Sequence, residues 1–256
     1  MPLGPTLAAL AAMFLLLWPA SLVLRDASIV DRFWGLAFVL VGATCWVVTD
    51  EPTLRARLAL LLTTMWALRL SLHITLRNFG QGEDPRYVAM RRYWGARFGL
   101  VSLGTVFGLQ AFLAWVVSLP LQAAVTSAAP SGLTPLDAAG VVAWIAGFAF
   151  ESVGDRQLAS FRSDPANRGK VMDRGLWAWT RHPNYFGDAL QWWGIGLLAA
   201  ATGAWWTAVG PAVMTFLLMR VSGVPMLEKQ MKRSRPGYEE YARRTSAFVP
   251  WPPRRG

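Results

Sequence analysis

Asn184 and Asp188 stand four residues apart at the mouth of a membrane-length apolar run, where an amide and a carboxylate call for a reason. The stretch that carries them, Asp173 to Trp193, reads DRGLWAWTRHPNYFGDALQWW and passes without a break into GIGLLAAATGAW. Pro183 has no backbone donor and suits the first turn of a helix, which places Asn184 and Asp188 on one face at i,i+4 spacing. The open N–H groups of a helix start favour anions, and Arg181 and His182 add donors beside them. Such a set can seat an anionic ligand. An interfacial belt would account for Trp177, Trp179, Tyr185, Trp192 and Trp193 and for the nearby cations. It would not account for Asn184 and Asp188, because polar groups inside an apolar span cost free energy and mark a site.

Three further stretches carry chemistry. SIVDRFWG sets Asp31 and Arg32 at the edge of an apolar segment, either as a local ion pair or with Asp31 as a polar group in a cavity walled by Trp34. Arg69 and His73 are one turn apart with Trp66 one turn before them, a face that suits a pocket or a partner helix better than lipid. The loop RNFGQGEDPRYVAMRRYWGARF is broken by Gly80, Gly82 and Pro85, and its Arg86, Tyr87, Arg91 and Arg92 form a basic, aromatic group. Guanidinium forks of this kind suit phosphate, with a lipid headgroup as the competing partner. No GxGxxG or P-loop pattern is present to hold a nucleotide.

The elements that must position these residues are membrane helices. More than half of the 256 residues are hydrophobic, at 54%, and the apolar runs recur along the whole chain at lengths that cross a bilayer. The expected fold is all-α and polytopic, with seven transmembrane helices near Leu3–Leu24, Ile29–Thr49, Leu58–Leu76, Phe98–Val125, Pro135–Val153, Asn184–Gly203 and Ala204–Val221. The first run is read as a retained span, since no basic region precedes it and no small-residue cleavage site follows. Past Val153 the helix is expected to continue through Asp155 to Arg162, and the tail sets Glu228 and Lys229 at a helix end and Tyr238 and Tyr241 on one face. Those tyrosines either pack on the loops or stack on a planar ligand.

Charge sets the orientation. Lys and Arg gather in the connections after spans three and five and in the tail, while those after spans four and six contain none. This predicts an outside N-terminus and a cytoplasmic C-terminus, with the polar loops in one compartment. The same distribution makes the net charge of +10 a membrane-topology signal, and nucleic acid is not an expected partner. A single cysteine, Cys45, excludes an internal disulfide, and two distant histidines leave no expected metal site.

The block DRQLASFR, then DRGLWAWTRHPNYFGDALQWWGIGL, then LEKQMKRSRPGYEEYARRTSAFVPW resembles the C-terminal half of steroid 5α-reductases. With SIVDRFWG and LRNFGQGEDPRY added, the whole chain looks like the bacterial integral-membrane branch of that group. The resemblance implies one membrane-embedded, monomeric reductase domain over residues 1–256, with helices one to four (1–125) on the substrate side and 135–256 on the cofactor side. It implies NADPH as cofactor, a steroid or other apolar enone entering from the bilayer as substrate, and an inner-membrane location. The matching cofactor residues are Asp155, Arg162, Asn184, Asp188 and Arg220, then Trp179, Arg181, His182, Tyr185, Glu228, Lys229, Tyr238 and Tyr241, with Asn78, Arg86, Tyr87 and Arg91 as phosphate or adenosine contacts.

The steroid enzymes use a glutamate and a tyrosine near the substrate ketone. Their positions fall near Asp31 and Trp66, and a buried, neutral Asp31 could donate to the carbonyl oxygen, whereas an indole N–H is no proton source. Trp34, Trp66, Arg69 and His73 would line the substrate, and Tyr87 is the alternative ketone donor. The rival class is a membrane methyltransferase of the isoprenylcysteine or phospholipid type, which also carries an RHPxYxG motif before a helical hairpin. The arginines of two loops favour the reductase, because S-adenosylmethionine lacks the phosphates of NADPH.

Overall fold

An apolar run without charge extends from Leu3 to Leu24, and it forms one helix, α1 (Leu3–Leu24), with the bounds of the run itself. The structure is a computed structural model that describes residues 1–221 and 224–254, and no strand occurs among the described residues. Helices α2 (Ile29–Val47) and α3 (Leu54–Asn78) follow. Thr53 caps α3 by accepting from the Ala56 amide, which satisfies one of the open donors of the first turn. The chain leaves α3 through Gly80 and Gly82, both at positive φ, and re-enters a helix at Pro85.

Helix α4 (Pro85–Trp94) runs on through a 3₁₀ turn into α5 (Phe98–Ser102), a π-helical stretch (Leu103–Gly108) and α6 (Leu109–Val117). The expected fourth span, Phe98–Val125, is therefore longer at its start and broken at its end. Ser118 ends α6, and α7 (Leu119–Thr126) starts afresh with Pro120 in its first turn, because a proline ring cannot continue a helix through its own position. Helix α8 (Pro135–Ser163) continues past Arg162 as the sequence predicts. After the short α9 (Leu176–Trp179) come α10 (Pro183–Ala200), α11 (Val209–Phe216), α12 (Val224–Ser234) and α13 (Tyr238–Arg244).

Among the described residues, five helical segments are long and apolar enough to cross a membrane, namely Leu3–Leu24, Ile29–Val47, Leu54–Asn78, Pro85–Val117 and Pro135–Ser163. Trp205–Val221 is a shorter apolar helix. The architecture is that of a multi-pass membrane protein.

The chain divides into two units, Met1–Thr134 with Leu198–Val209, and Pro135–Leu197 with Gly210–Gly256. In the first, α2 packs along α3, and the core between them holds Phe38 and Trp66 edge to face at 5.3 Å. A buried polar network, Thr6 Oγ1 to Gln122 Oε1 at 3.0 Å and Gln122 Nε2 to Ser118 Oγ at 3.1 Å, ties α1 to α7. In the second unit, α8 and α10 meet along glycines. A Cβ on Gly187 would lie 2.5 Å from the Gly147 carbonyl oxygen and from the Glu151 amide, and one on Gly147 would lie 2.6 Å from the Gly187 oxygen. Backbones approach this closely in membrane helices only where small residues line the seam.

Candidate functional site

Two clusters of polar side chains stand out, one in each unit. The first gathers around the turn before α2 and the loop before α4. Asp84 caps α4 by accepting from the Arg86 amide at 2.9 Å, with Pro85 at the first helical position, the sequence signature of a helix start. The cap aims Arg86 and Tyr87 at α2. The Tyr87 hydroxyl donates to Asp31 Oδ1 at 2.9 Å, and Arg86 Nη2 donates to Asp31 Oδ2 at 2.8 Å. Tyr87 is buried, while the Arg86 side chain keeps 40% exposure. The result is a carboxylate held by a phenol and a guanidinium from another helix.

Arg32 does not pair with Asp31. It reaches back to Asp26 at 3.1 Å, since neighbours in a helix point about 100° apart and do not face each other. Arg91 is also committed, through a two-pronged contact with Glu83 at 2.8 and 3.0 Å and a stack over Phe98 at 4.5 Å. Burial alone would raise the Glu83 carboxyl, but Arg91 and the Ala27 amide outweigh it and hold the group below its ordinary range. Glu83 therefore staples the loop to the turn before α2. Asn78 lies at the end of α3 and accepts from Arg77 Nε at 3.1 Å.

The second cluster is a ladder between α8 and α10. Asn184 Nδ2 donates to Asp155 Oδ1 at 3.0 Å, and Gln191 Nε2 donates to Glu151 Oε2 at 2.8 Å. Asp188 lies between the two rungs on the same face of α10 and is buried. Asn184 and Asp188 thus share one face of α10 as their spacing predicts, and Asp155, which only the resemblance joined to them, pairs with Asn184. Glu151 and Gln191 join them without having been singled out in the sequence, although a glutamate inside AWIAGFAFESVG is the same signal that marked Asp188.

Beside the ladder, the tail clamps the TRHP segment. Arg181 Nε donates to Glu228 at 2.7 Å, and its Nη1 donates to the carbonyls of Ala242 and Thr245, both at 2.7 Å. Thr180 Oγ1 donates to Phe248 O at 2.8 Å, and the Tyr241 hydroxyl donates to Trp177 O at 2.6 Å. His182 stacks flat on Tyr185 at 5.6 Å. Tyr238 and Tyr241 are buried and touch edge to face, so they pack against the protein. Burial pushes the Tyr238 phenol up to about 12 and the Tyr241 phenol higher. Arg162, Trp179, Arg220 and Lys229 lie exposed.

His182 and Arg181 hold the Glu228 carboxyl down at about 2, against the opposing effect of burial. The His182 contact, at 3.5 Å, is long for a hydrogen bond, so the 2.7 Å Arg181 contact is the firmer tie. The folded value lies below the ordinary 4.5. The clamp's contribution to stability is therefore full above that pH and is lost as pH falls toward 2. Melting temperature should drop over this window in the parent protein, and Glu228→Gln should flatten that part of the profile. An unchanged profile in the variant would show that Glu228 does not carry it.

Among the remaining predicted residues, Trp66 is buried in the core of the first unit, with Phe38 between it and Trp34. It serves as packing there. Arg69 and His73 are half-buried on α3.

No curated protein and no solved structure matches this chain. A family model does match, over residues 17–245, a range that includes both clusters. The chain belongs to the family described as protein of unknown function, DUF1295.

Proposed function

We propose that the protein is an NADPH-dependent reductase of conjugated enones, with 3-oxo-Δ4 steroids as the substrate class. The observation that carries this reading is the Asp31–Tyr87–Arg86 constellation, an acid and a tyrosine in direct contact with a cation beside them. Reduction of an enone builds negative charge on the carbonyl oxygen, and preorganised donors there lower the barrier. Tyr87 supplies an O–H, which turns from Asp31 to the carbonyl oxygen while Arg86 keeps Asp31 in place. Arg86 is shared between Asp31 and Asp84 at 2.8 and 2.9 Å, so its part is to hold the constellation in place. Tyr87 thus takes the donor role that the resemblance puts near Trp66.

The residues of the second unit fit a dinucleotide. Asn184 and Asp155 present an amide and a carboxylate at the helix mouth. Gln191 Oε1 is buried with no donor among the described residues, an acceptor suited to a carboxamide such as that of nicotinamide. When bound, NADPH would supply the hydride. The chain's part is to orient the ring and exclude water. Arg181 would act by fixing the tail, since Glu228 and two carbonyls occupy its donors. The same reading has seven spans with the N-terminus outside, which keeps the basic loops on the cytoplasmic side.

NADPH should bind more tightly than NADH, because exposed arginines give its 2′-phosphate a charge-assisted partner. Asn184→Ala should weaken NADPH about tenfold, the scale of one hydrogen bond to a charged partner, while the yield of folded protein stays at the parental level. Isothermal titration in detergent reads both. Equal affinity for the two nucleotides, or stabilisation by S-adenosylmethionine alone, would move the protein to the methyltransferase class.

A further inference from the structure

Where the tail curls back after α13, a cavity of about 340 Å³ opens, lined by Arg181, Arg243, Arg244, Arg254 and Ser246 among others, with no acidic residue among the described residues of its wall. Its floor is rigid. Arg181 is held from two sides by Glu228 and by the carbonyls of Ala242 and Thr245, and the rim is closed by the Arg254 amide donating to the Arg244 carbonyl at 2.9 Å. Two of the four lining arginines are matched by carboxylates, Arg181 by Glu228 and Arg244 by Asp173 at 2.5 Å. Among the described residues, the guanidinium groups of Arg243 and Arg254 and the hydroxyl of Ser246 have no partner. A preformed concavity therefore holds two unmatched positive charges and a hydroxyl over a pinned third cation.

We propose that this cavity is a phosphate-binding site, distinct from the Asn184 ladder and from the Asp31 cluster. Guanidinium pairs bind a phosphate by parallel charge-assisted bonds. The volume exceeds what a single phosphate fills and leaves room for the group that carries it. That group is either a soluble phosphate ester or the headgroup of an anionic lipid. Trp251 and Trp179 stand beside the pocket, joined by the Trp251 amide to the Trp179 carbonyl at 3.0 Å, and both are largely exposed. Exposed tryptophans at such a place suit a membrane interface. The site does not depend on the reductase reading, since it requires no nicotinamide.

The test uses the full chain in neutral detergent, titrated calorimetrically with pyrophosphate in the absence of any nucleotide. Arg243→Ala with Arg254→Ala should weaken binding by about a hundredfold, roughly tenfold for each charge-assisted hydrogen bond removed. Arg57→Ala with Arg97→Ala, which removes the same charge from exposed positions of the other unit, should leave it within about twofold. Native mass spectrometry after mixing with phosphatidic acid or phosphatidylcholine separates the two sources. Retained phosphatidic acid that pyrophosphate displaces identifies a headgroup. Pyrophosphate binding with no retained phosphatidic acid identifies a soluble ester. The proposal is overturned if parent protein binds neither probe, or if the two double variants weaken pyrophosphate equally.

Discussion

Asp31→Leu is expected to lower turnover of a 3-oxo-Δ4 steroid by about tenfold to a thousandfold, the range for deleting one preorganised donor arrangement. The leucine removes the acceptor of the Tyr87 hydroxyl and one of the two carboxylates that hold Arg86, which keeps its contact with Asp84 at 2.9 Å. The phenol then loses the partner that orients it. Asp31→Asn retains an acceptor for Tyr87 but not a charge for Arg86, so its turnover should fall between parent and leucine variant. Tyr87→Phe should match the leucine variant if the hydroxyl is the group that meets the carbonyl. NADPH affinity should hold in all three, since the Asn184–Asp155 and Gln191–Glu151 hydrogen bonds involve neither Asp31 nor Tyr87. Undiminished turnover in Asp31→Leu would reduce the contact to a helix tie and move the ketone donor to the Arg69 and His73 face.

Gly187→Ala should destabilise the protein by about 3 kcal/mol, at the upper end for an overpacked core. The added methyl meets backbone on both sides, at 2.5 Å from the Gly147 oxygen and the Glu151 nitrogen, and no rotamer can move it aside. Separation of α8 from α10 also lengthens the Asn184–Asp155 and Gln191–Glu151 bonds, so NADPH affinity should fall with stability. Gly4→Ala is the control, because nothing lies within 4 Å of a Cβ there. Thermal unfolding in detergent separates the two. Equal melting temperatures for the variants would mean that the seam has slack the backbone distances do not indicate.

Much of the scaffold was legible in the sequence because bilayer-length apolar runs leave few alternatives. The first helix has the bounds of its apolar run, Leu3–Leu24, and the breaks at Gly80 and Pro85 fall where positive φ and a missing N–H demand them. The break at Ser118 was within reach through Pro120, which cannot continue a helix, but a reading by span length alone passes over it. Of the candidate site, Asn184 and Asp188 were legible as polar groups in the wrong solvent, whereas Asp155 entered only through the resemblance. The partners of Asp31 were not, because an ion pair between residues 55 apart depends on how two helices pack. Arg91 illustrates the same limit. Its guanidinium looked available for phosphate, and only the fold shows it committed to Glu83. The Asp84 cap was within reach, however, because Asp before Pro at a helix start is a local signal.

Hydride transfer from NADPH to an enone is the central claim, and isotope transfer tests it most directly. Purified protein in lipid nanodiscs would be given NADPH deuterated at the transferring C4 position together with a 3-oxo-Δ4 steroid, and the product read by mass spectrometry and deuterium NMR. The predicted product is a dihydrosteroid carrying one deuterium at the former β-carbon, with the yield lost in Asp31→Leu. Unchanged steroid, or a reduced product without deuterium, in the presence of folded protein would contradict it.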